Sequence, residues 1–443
     1  MTQAAQDADL AALETPAILA WRPYPPRNLP DTRSQLGGLP LLSSPADWPR
    51  TQDGAPLHFL ARIDCKDLPG ARGGLPSEGL LQFFARIDED MGWADDERQS
   101  DHCRVLHSLE AGQLTPPPAE LPIIQGGYND WDRTLRLPEE PPRTAYPRWP
   151  LVFAAIKSWP DTSHWGPNQD EEGTNRARAA EIARATGEAP FEEATPTWLN
   201  NPARGGKALA LPPSAPGERA FPQAWILCDR VARCFARAAI DSQQQPARAK
   251  PAASPEEADA RNALLAEWAQ LEQSARAWIR RAEAAGLDAP VDPAEASEFA
   301  EWLTALANHS SQPVRSRVCA HWNGSMRRGL EAAIVYCGGH PAAAALVPLD
   351  IFNQLRDQHA LVRTGERDGQ PWLKPSDHHQ LLGNHQSTQD FRPNDNEVLL
   401  LQLVSDYGVD FMFCDVGEIH FWIDGDDLAA RRFDRVRANT QGG

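Results

Sequence analysis

The chain has 443 residues, 41% of them hydrophobic, and a formal charge of −18. That length suits two or three domains, or one duplicated core with an insertion. The acidity argues against a nucleic-acid surface, which needs clustered Lys and Arg, and no apolar run approaches the ~18 residues of a membrane helix.

Residues 1–35 read as a polar, Pro-punctuated leader with a short helix near 7–13. Their start lacks a basic segment followed by an apolar core, so no secretory signal is expected. Seven cysteines are scattered without a CxxC pair. They read as reduced thiols of a cytoplasmic protein, with neither a disulfide framework nor a structural zinc site.

The folded part opens at Gln35, where Gly37 and Gly38 permit a turn with positive φ. Leu57–Ile63 and Gly79–Ile87 read as paired strands, followed by a strand at His102–Leu109, a proline-dense connection over Thr115–Pro150 and a strand at Leu151–Trp159. Asn168–Gly187 reads as an exposed helix or mobile loop, and Thr195–Gly217 as loop. The middle is helical. Trp225, Cys228, Val231, Ala232 and Phe235 recur at helical spacing, and Gln243–Ala253 is a linker. Ser254-Pro255-Glu256-Glu257 is a capping box that starts a helix stopped by Gly286. Asp292-Pro293-Ala294-Glu295 starts a second helix. The pair reads as a self-packed hairpin over residues 254–308. It carries Trp268, Trp278 and Trp302, with a partly exposed aromatic edge for a partner. Replacing it with a linker is then expected to leave the β core folded. Further helices are expected around Val314–Cys337 and Leu349–Val362, with a break at Pro371–Pro375.

Asn396–Phe433 reads as two strands and a short helix. Val398–Val404 is an apolar run, and Glu418–Ile423 alternates with a period of two, which places Ile419, Phe421 and Ile423 on one face and Glu418, His420 and Trp422 on the other. Setting Gly79 on Gly417 brings Leu81 onto Ile419, Phe83 onto Phe421 and Phe84 onto Trp422, so the strand pair occurs twice. In this alignment the second copy needs one extra residue before Asp406, whose counterpart is Asp64.

The opening LGGLPLLSSPADWP…GAPLHFLARID…LPSEGLLQFF and the end HHQLLGNHQSTQ…LLLQLVSD…DVGEIHFWIDGDDLAARRFDRV resemble the YwqG-like family of bacterial proteins of unknown function. The resemblance covers roughly residues 36–84 and 378–436. It departs at Asn384-His385, where the family brings an aromatic residue and a proline, and at Ser405-Asp406, a shortened acidic step. It implies a β-rich, duplicated roll-like fold and supplies no catalytic residues. The association of family members with toxin–immunity gene neighbourhoods favours protein binding.

The expected fold is therefore α+β: a duplicated, mainly antiparallel core with a helical insertion. The expected division is a leader at 1–35, an N-terminal β half at 36–160, a loop and helical insertion at 161–310, and a C-terminal half at 311–443. Asp377, His378, His379 and His385 form the densest polar cluster. Adjacent histidines on an extended segment point apart, so a surface loop is favoured over a metal site. His102 and His107 point to opposite strand faces. Cys337-Gly338-Gly339-His340 reads as a turn with a buried thiol rather than a nucleophilic pair. Asp406, Asp415, Glu418 and His420 could do acid–base work if they converged, but turn capping by aspartates is the favoured reading. Trp422 and Phe84 suit either a half-exposed interface or a face covered by the middle helices. No phosphate-binding loop or nucleophile elbow occurs, Gly205-Gly206-Lys207 included.

The reading leans away from an enzyme and toward a cytoplasmic protein-binding role, immunity-like or scaffolding, with a protein partner favoured to be basic. No cofactor, metal, nucleic acid or membrane is expected. His379, Asp406, Asp415, His420 and Trp422 are the candidate binding residues. The alternatives are an unrecognised, hydrolase-like enzyme and a small-ligand sensor with a pocket between the β halves.

Overall fold

The computed structural model describes residues 11–26, 31–70, 73–88, 99–110, 112–124, 131–160, 171–187, 219–245, 252–319, 324–352, 361–367, 370–375, 378–387, 389, 391 and 393–442. The strands are β1 (Thr15–Trp21), β2 (Gln35–Leu36), β3 (Leu41–Leu42), β4 (His58–Asp64), β5 (Leu80–Ala85), β6 (Cys103–Ser108), β7 (Gln113–Leu114), β8 (Trp149–Pro150), β9 (Val152–Ser158), β10 (Leu361–Arg367), β11 (Gln370–Pro375), β12 (His379–Leu381), β13 (Glu397–Val404), β14 (Glu418–Asp424) and β15 (Arg437–Gln441). The helices are α1 (Trp131–Leu135), α2 (Glu171–Thr186), α3 (Trp225–Gln244), α4 (Pro255–Ala285), α5 (Pro293–Ala307), α6 (Gln312–Cys319), α7 (Ser325–Tyr336), α8 (Pro341–Leu346), α9 (Leu349–Phe352) and α10 (Gly425–Ala429).

Two antiparallel sheets carry the fold, ordered β6-β5-β4-β2-β8 and β15-β14-β13-β12-β1-β9. The first five strands of each correspond one to one, so the β core is duplicated. The registers match residue for residue: Ile63 faces Leu81 as Leu403 faces Ile419, and Arg62 faces Gln82 as Gln402 faces His420. The same irregularity recurs, between Phe59 and Ala61 in one copy and Leu399 and Leu401 in the other. A bulge inserts a residue and increases local twist, so its repetition marks a shared design. The register equates Asp64 with Val404 and not with Asp406.

The turn after the short fourth strand of each sheet, β2 or β12, also repeats. The Gln35 amide donates to the carbonyls of Gly37 and Leu39, and the Gln380 amide to those of Leu382 and Asn384. Gly37 and Leu382, at equivalent places, have φ of 55° and 63°. The inner faces pack together, with Phe83 and Phe421 edge to face, ring centroids 5.2 Å apart. Each outer face is covered by the segment following its repeated turn. Trp48 packs on Phe84, and His385 and Phe391 pack on Trp422. The Trp422 face is thus covered, but by His385 and Phe391 and not by the middle helices.

Several expectations change. The stretch assigned to the leader contains β1, a central strand between β12 and β9. Its residues Ala17–Ala20 are buried on both faces, so no alternation betrays it. Of the leader helix expected near 7–13, residues 7–10 lie outside the described residues and 11–12 are helical. Val314–Cys337 is two helices, α6 and α7; of the helix expected over Leu349–Val362, Leu349–Phe352 forms α9, Leu361 and Val362 open β10, and 353–360 lie outside the described residues; and Pro371–Pro375 belongs to β11, in a two-stranded ribbon. Such an edge tolerates proline because one side of the strand makes no ladder bonds.

The caps of the two middle helices form as expected. Ser254 Oγ accepts from the Glu257 amide, Asp292 Oδ1 from the Ala294 amide, and Gly286 ends α4 with φ 88°. Their packing differs. The longest contact of α4 is with α3, which also lies along α7. Trp278 meets Trp225 of α3 as well as Phe299 of α5, while Phe235 of α3 meets Trp302. Trp268 and Trp278 are buried and Trp302 is half-buried, so the expected exposed aromatic edge is filled by α3. The same continuous apolar core runs through both sheets and these helices.

Candidate functional site

Asp406 follows β13 and sits in a tight turn. A Cβ at Gly408 would stand 2.1 Å from the Arg22 guanidinium carbon and would push that side chain out of its present place. Arg22, just past β1, donates from Nε and Nη2 to the Asp406 carboxylate at 2.7–2.9 Å, and the Gly408 amide adds a bond of 2.7 Å. His379 of β12 completes the set. Its Nδ1 accepts from the Val404 amide at 3.2 Å, which leaves Nε2 to donate to Asp406 at 3.0 Å. This tautomer follows from the hydrogen-bond network. Burial works to raise the Asp406 pKa, but the Arg22 charge and the His379 bond outweigh it and hold the carboxyl well below its ordinary range. Arg22 also lies over the Trp149 ring, 4.9 Å from its centroid. The sequence suggested Asp406 and His379; it missed Arg22, 384 positions from its partner.

His420 and Trp422 occupy the opposite side of their strand from Phe421. His420 is fully buried. Its Nε2 donates to the Gln386 carbonyl at 2.8 Å, and its Nδ1 faces the Gln441 amide at 3.4 Å. Burial, with the nearby His385, pushes its pKa down to about 3, so the ring is neutral. Duplication explains this arrangement. In the first copy Gln82 bonds both the amide and the carbonyl of Leu41, at 2.8 and 2.7 Å. In the second, Gln402 takes the amide of Gln386 and His420 its carbonyl. His420 thus fastens the covering segment to the sheet. Trp422 Nε1 donates to Asn439 Oδ1 at 2.8 Å.

The candidates therefore divide into a His379–Asp406 group and a His420–Trp422 group. Asp415 joins neither, standing exposed in the turn before β14. Asp377 lies outside the described residues, and so does Gly205-Gly206-Lys207. Among the described residues, no three His, Cys, Asp or Glu side chains converge in the manner of metal ligands. The Asn384 departure from the family pattern has a structural use, since its side chain bonds Thr15 Oγ1 and the Ser158 carbonyl and ties the turn to β1 and β9. The Cys337 thiol is buried and pushed up to about 12, and His340 Nδ1 instead meets Asp288 at 2.8 Å. His102 is buried, and His107 donates to the Glu78 carbonyl at 3.0 Å. No described helix is long and apolar enough to cross a membrane.

Beyond these groups, Asp410 is fully buried against Arg143 at 2.6 Å. Burial alone would lower the Arg143 pKa; the Asp410 charge more than offsets it, and the guanidinium stays charged. Arg143 also lines an open cavity of about 220 Å³ with Arg136, Arg230, Arg233, Glu140 and Tyr336. These residues come from the proline-dense connection, α3 and α7, and no local motif joins them.

A family model described as a domain of unknown function (DUF1963) matches residues 34–186 and 287–441. No curated protein matches the chain. The matched segments hold the two sheets except β1, and they leave α3 and α4 outside.

Proposed function

The chain belongs to the DUF1963 family, and from that premise we propose that it is a non-enzymatic binding protein with a protein partner, in an immunity-like or scaffolding role. One observation carries the reading: the two buried candidates for acid–base work, Asp406 and His420, have their hydrogen bonds spent within the fold, while Asp415 stands apart from both in an exposed turn. Asp406 is met by Arg22, His379 and Gly408, and both ring nitrogens of His420 face backbone or side-chain groups. A general acid or base must instead reach a substrate proton. The formal charge of −18 supports a basic partner, drawn in by long-range attraction. The resemblance of both ends to the YwqG-like family, with its toxin–immunity gene context, supports the immunity-like form.

The test is affinity isolation of the full chain from native cell extract at low and high salt, beside turnover assays on ester, amide and phosphate-ester substrates. A stoichiometric basic protein, released as salt rises, is the expected result. Turnover by the wild type that disappears in a folded Asp406→Asn or His420→Gln variant would overturn the reading.

A further inference from the structure

We propose that the arginine-lined cavity between α1, α3 and α7 is a binding site for a small organic anion that carries a phosphate or several carboxylates. The inference goes beyond the protein-partner reading and does not rest on it. Four guanidinium groups, from Arg136, Arg143, Arg230 and Arg233, line the cavity, against one lining carboxylate, Glu140. Asp229 and Asp410 hold the arginines from behind and are themselves buried. Glu283 reaches Arg233 from outside the lining, so the whole cluster balances, four arginines to four carboxylates, and the positive excess lies in the lining itself, in a chain whose formal charge is −18. A local excess of positive charge in such a protein has to be assembled against the background field.

The arginines are not equally occupied. Arg233 is fully engaged by Asp229, Glu140 and Glu283. Arg230 pairs with Asp229 through Nη1 alone and stacks on Tyr336, its guanidinium carbon 4.2 Å from the ring centroid. Its buried Nε has no hydrogen-bond partner. A buried donor left unmet costs free energy that an acceptor restores. The planar guanidinium offers donors in a fork matching carboxylate or phosphate oxygens, and the Tyr336 ring holds that plane in place. Partial burial strengthens the attraction relative to bulk water. The cavity volume of about 220 Å³ suits a small molecule carrying such a group.

The full chain would be titrated with inorganic phosphate, pyrophosphate and citrate by calorimetry, with thermal unfolding in parallel and glucose as the uncharged comparison. Saturable binding of at least one anion, with a raised Tm and no response to glucose, is expected. Arg230→Gln should weaken that binding about tenfold or more, the effect of one charge-assisted bond. Glu140→Gln should strengthen it, because it removes the one lining carboxylate while keeping an acceptor for the Leu137 amide. Should Arg230→Gln fail to fold, Glu140→Gln decides alone, and unchanged or weaker affinity overturns the proposal. Absence of saturable binding of all three anions by the wild type overturns it too, as does wild-type affinity in both variants, which would place the anion elsewhere.

Discussion

His420 and Gln82 hold the same position in two strand pairs, and both fasten a covering segment to its sheet, yet only the histidine can titrate. An unfolded histidine titrates near pH 6.5, whereas folded His420 does so at about 3. The fold accepts the neutral ring, so acid protonates the unfolded chain first. The contribution of His420 is complete above about pH 6.5 and is lost as pH falls toward 3. At pH 4.5 that loss is roughly 2–3 kcal/mol, from about 1.4 kcal/mol per unit. Glutamine does the corresponding work in the first copy, so His420→Gln should keep the fastening and reduce the stability difference between pH 7 and pH 4.5 by roughly 2–3 kcal/mol. Urea unfolding at the two pH values measures this, and an unchanged difference would mean that the ring protonates in place. Asp406 obeys the same sign for a different reason. Its folded pKa is depressed, so its contribution is present above the unfolded value near 3.9 and is lost only as pH falls below it. Asp406→Asn leaves the Arg22 charge buried without its counter-ion and should cost about 3–5 kcal/mol, read as a shift in the urea midpoint.

At the scale of the element, the repeated turn sets two residues of different kinds in the same left-handed conformation. Leu382 has φ 63° and is nearly fully buried. Leu382→Gly relieves about 1–2 kcal/mol of left-handed strain and gives up roughly 2–5 kcal/mol of burial, so a net loss of up to about 4 kcal/mol, centred on roughly 2, is expected. Gly37→Ala adds one carbon at the matching place, 2.1 Å from the Pro147 carbonyl oxygen, and should cost at least as much. Equilibrium unfolding of the two variants compares them, and a neutral Gly37→Ala would contradict the equivalence of the turns. This turn also shows what was legible in the sequence. The strand pairs β4–β5 and β13–β14 could be read because β14 alternates and because a glycine, Gly79 or Gly417, immediately precedes the second strand of each pair. The starts of α4 and α5 could be read because Ser254 and Asp292 cap them through neighbours two or three residues away. β1 could not, since a strand buried on both faces has no period. The same limit hid the site: the Arg22–Asp406 pair and the arginine-lined cavity are built from residues that only the closed sheets and helices bring together, with no local spacing to record them.

At the scale of the whole molecule, the question is whether the helical middle is an attachment or part of the core. Its start and stop signals and the polar stretch before Ser254 make it look inserted, and the family match leaves residues 187–286 uncovered. The packing argues the other way. Trp225 and Phe235 of α3 are covered by Trp278 and Trp302, α3 lies along α7, and one apolar core continues from these helices to the inner sheet faces around Phe83 and Phe421. Removing residues 254–308 would uncover Trp225, Phe235 and their neighbours on α3. Each large side chain uncovered forfeits about 1.5–3 kcal/mol, and a few of them together rival the roughly 5–15 kcal/mol that holds a typical domain together. Replacing 254–308 with a short Gly/Ser linker should therefore yield aggregated or unfolded protein, rather than the isolated β core that the capping signals alone suggest. Size-exclusion chromatography with near-ultraviolet circular dichroism distinguishes the two. A monomeric variant with native-like aromatic signals would show that α3 can close its exposed face against α7 alone, and that the two sheets fold without the hairpin.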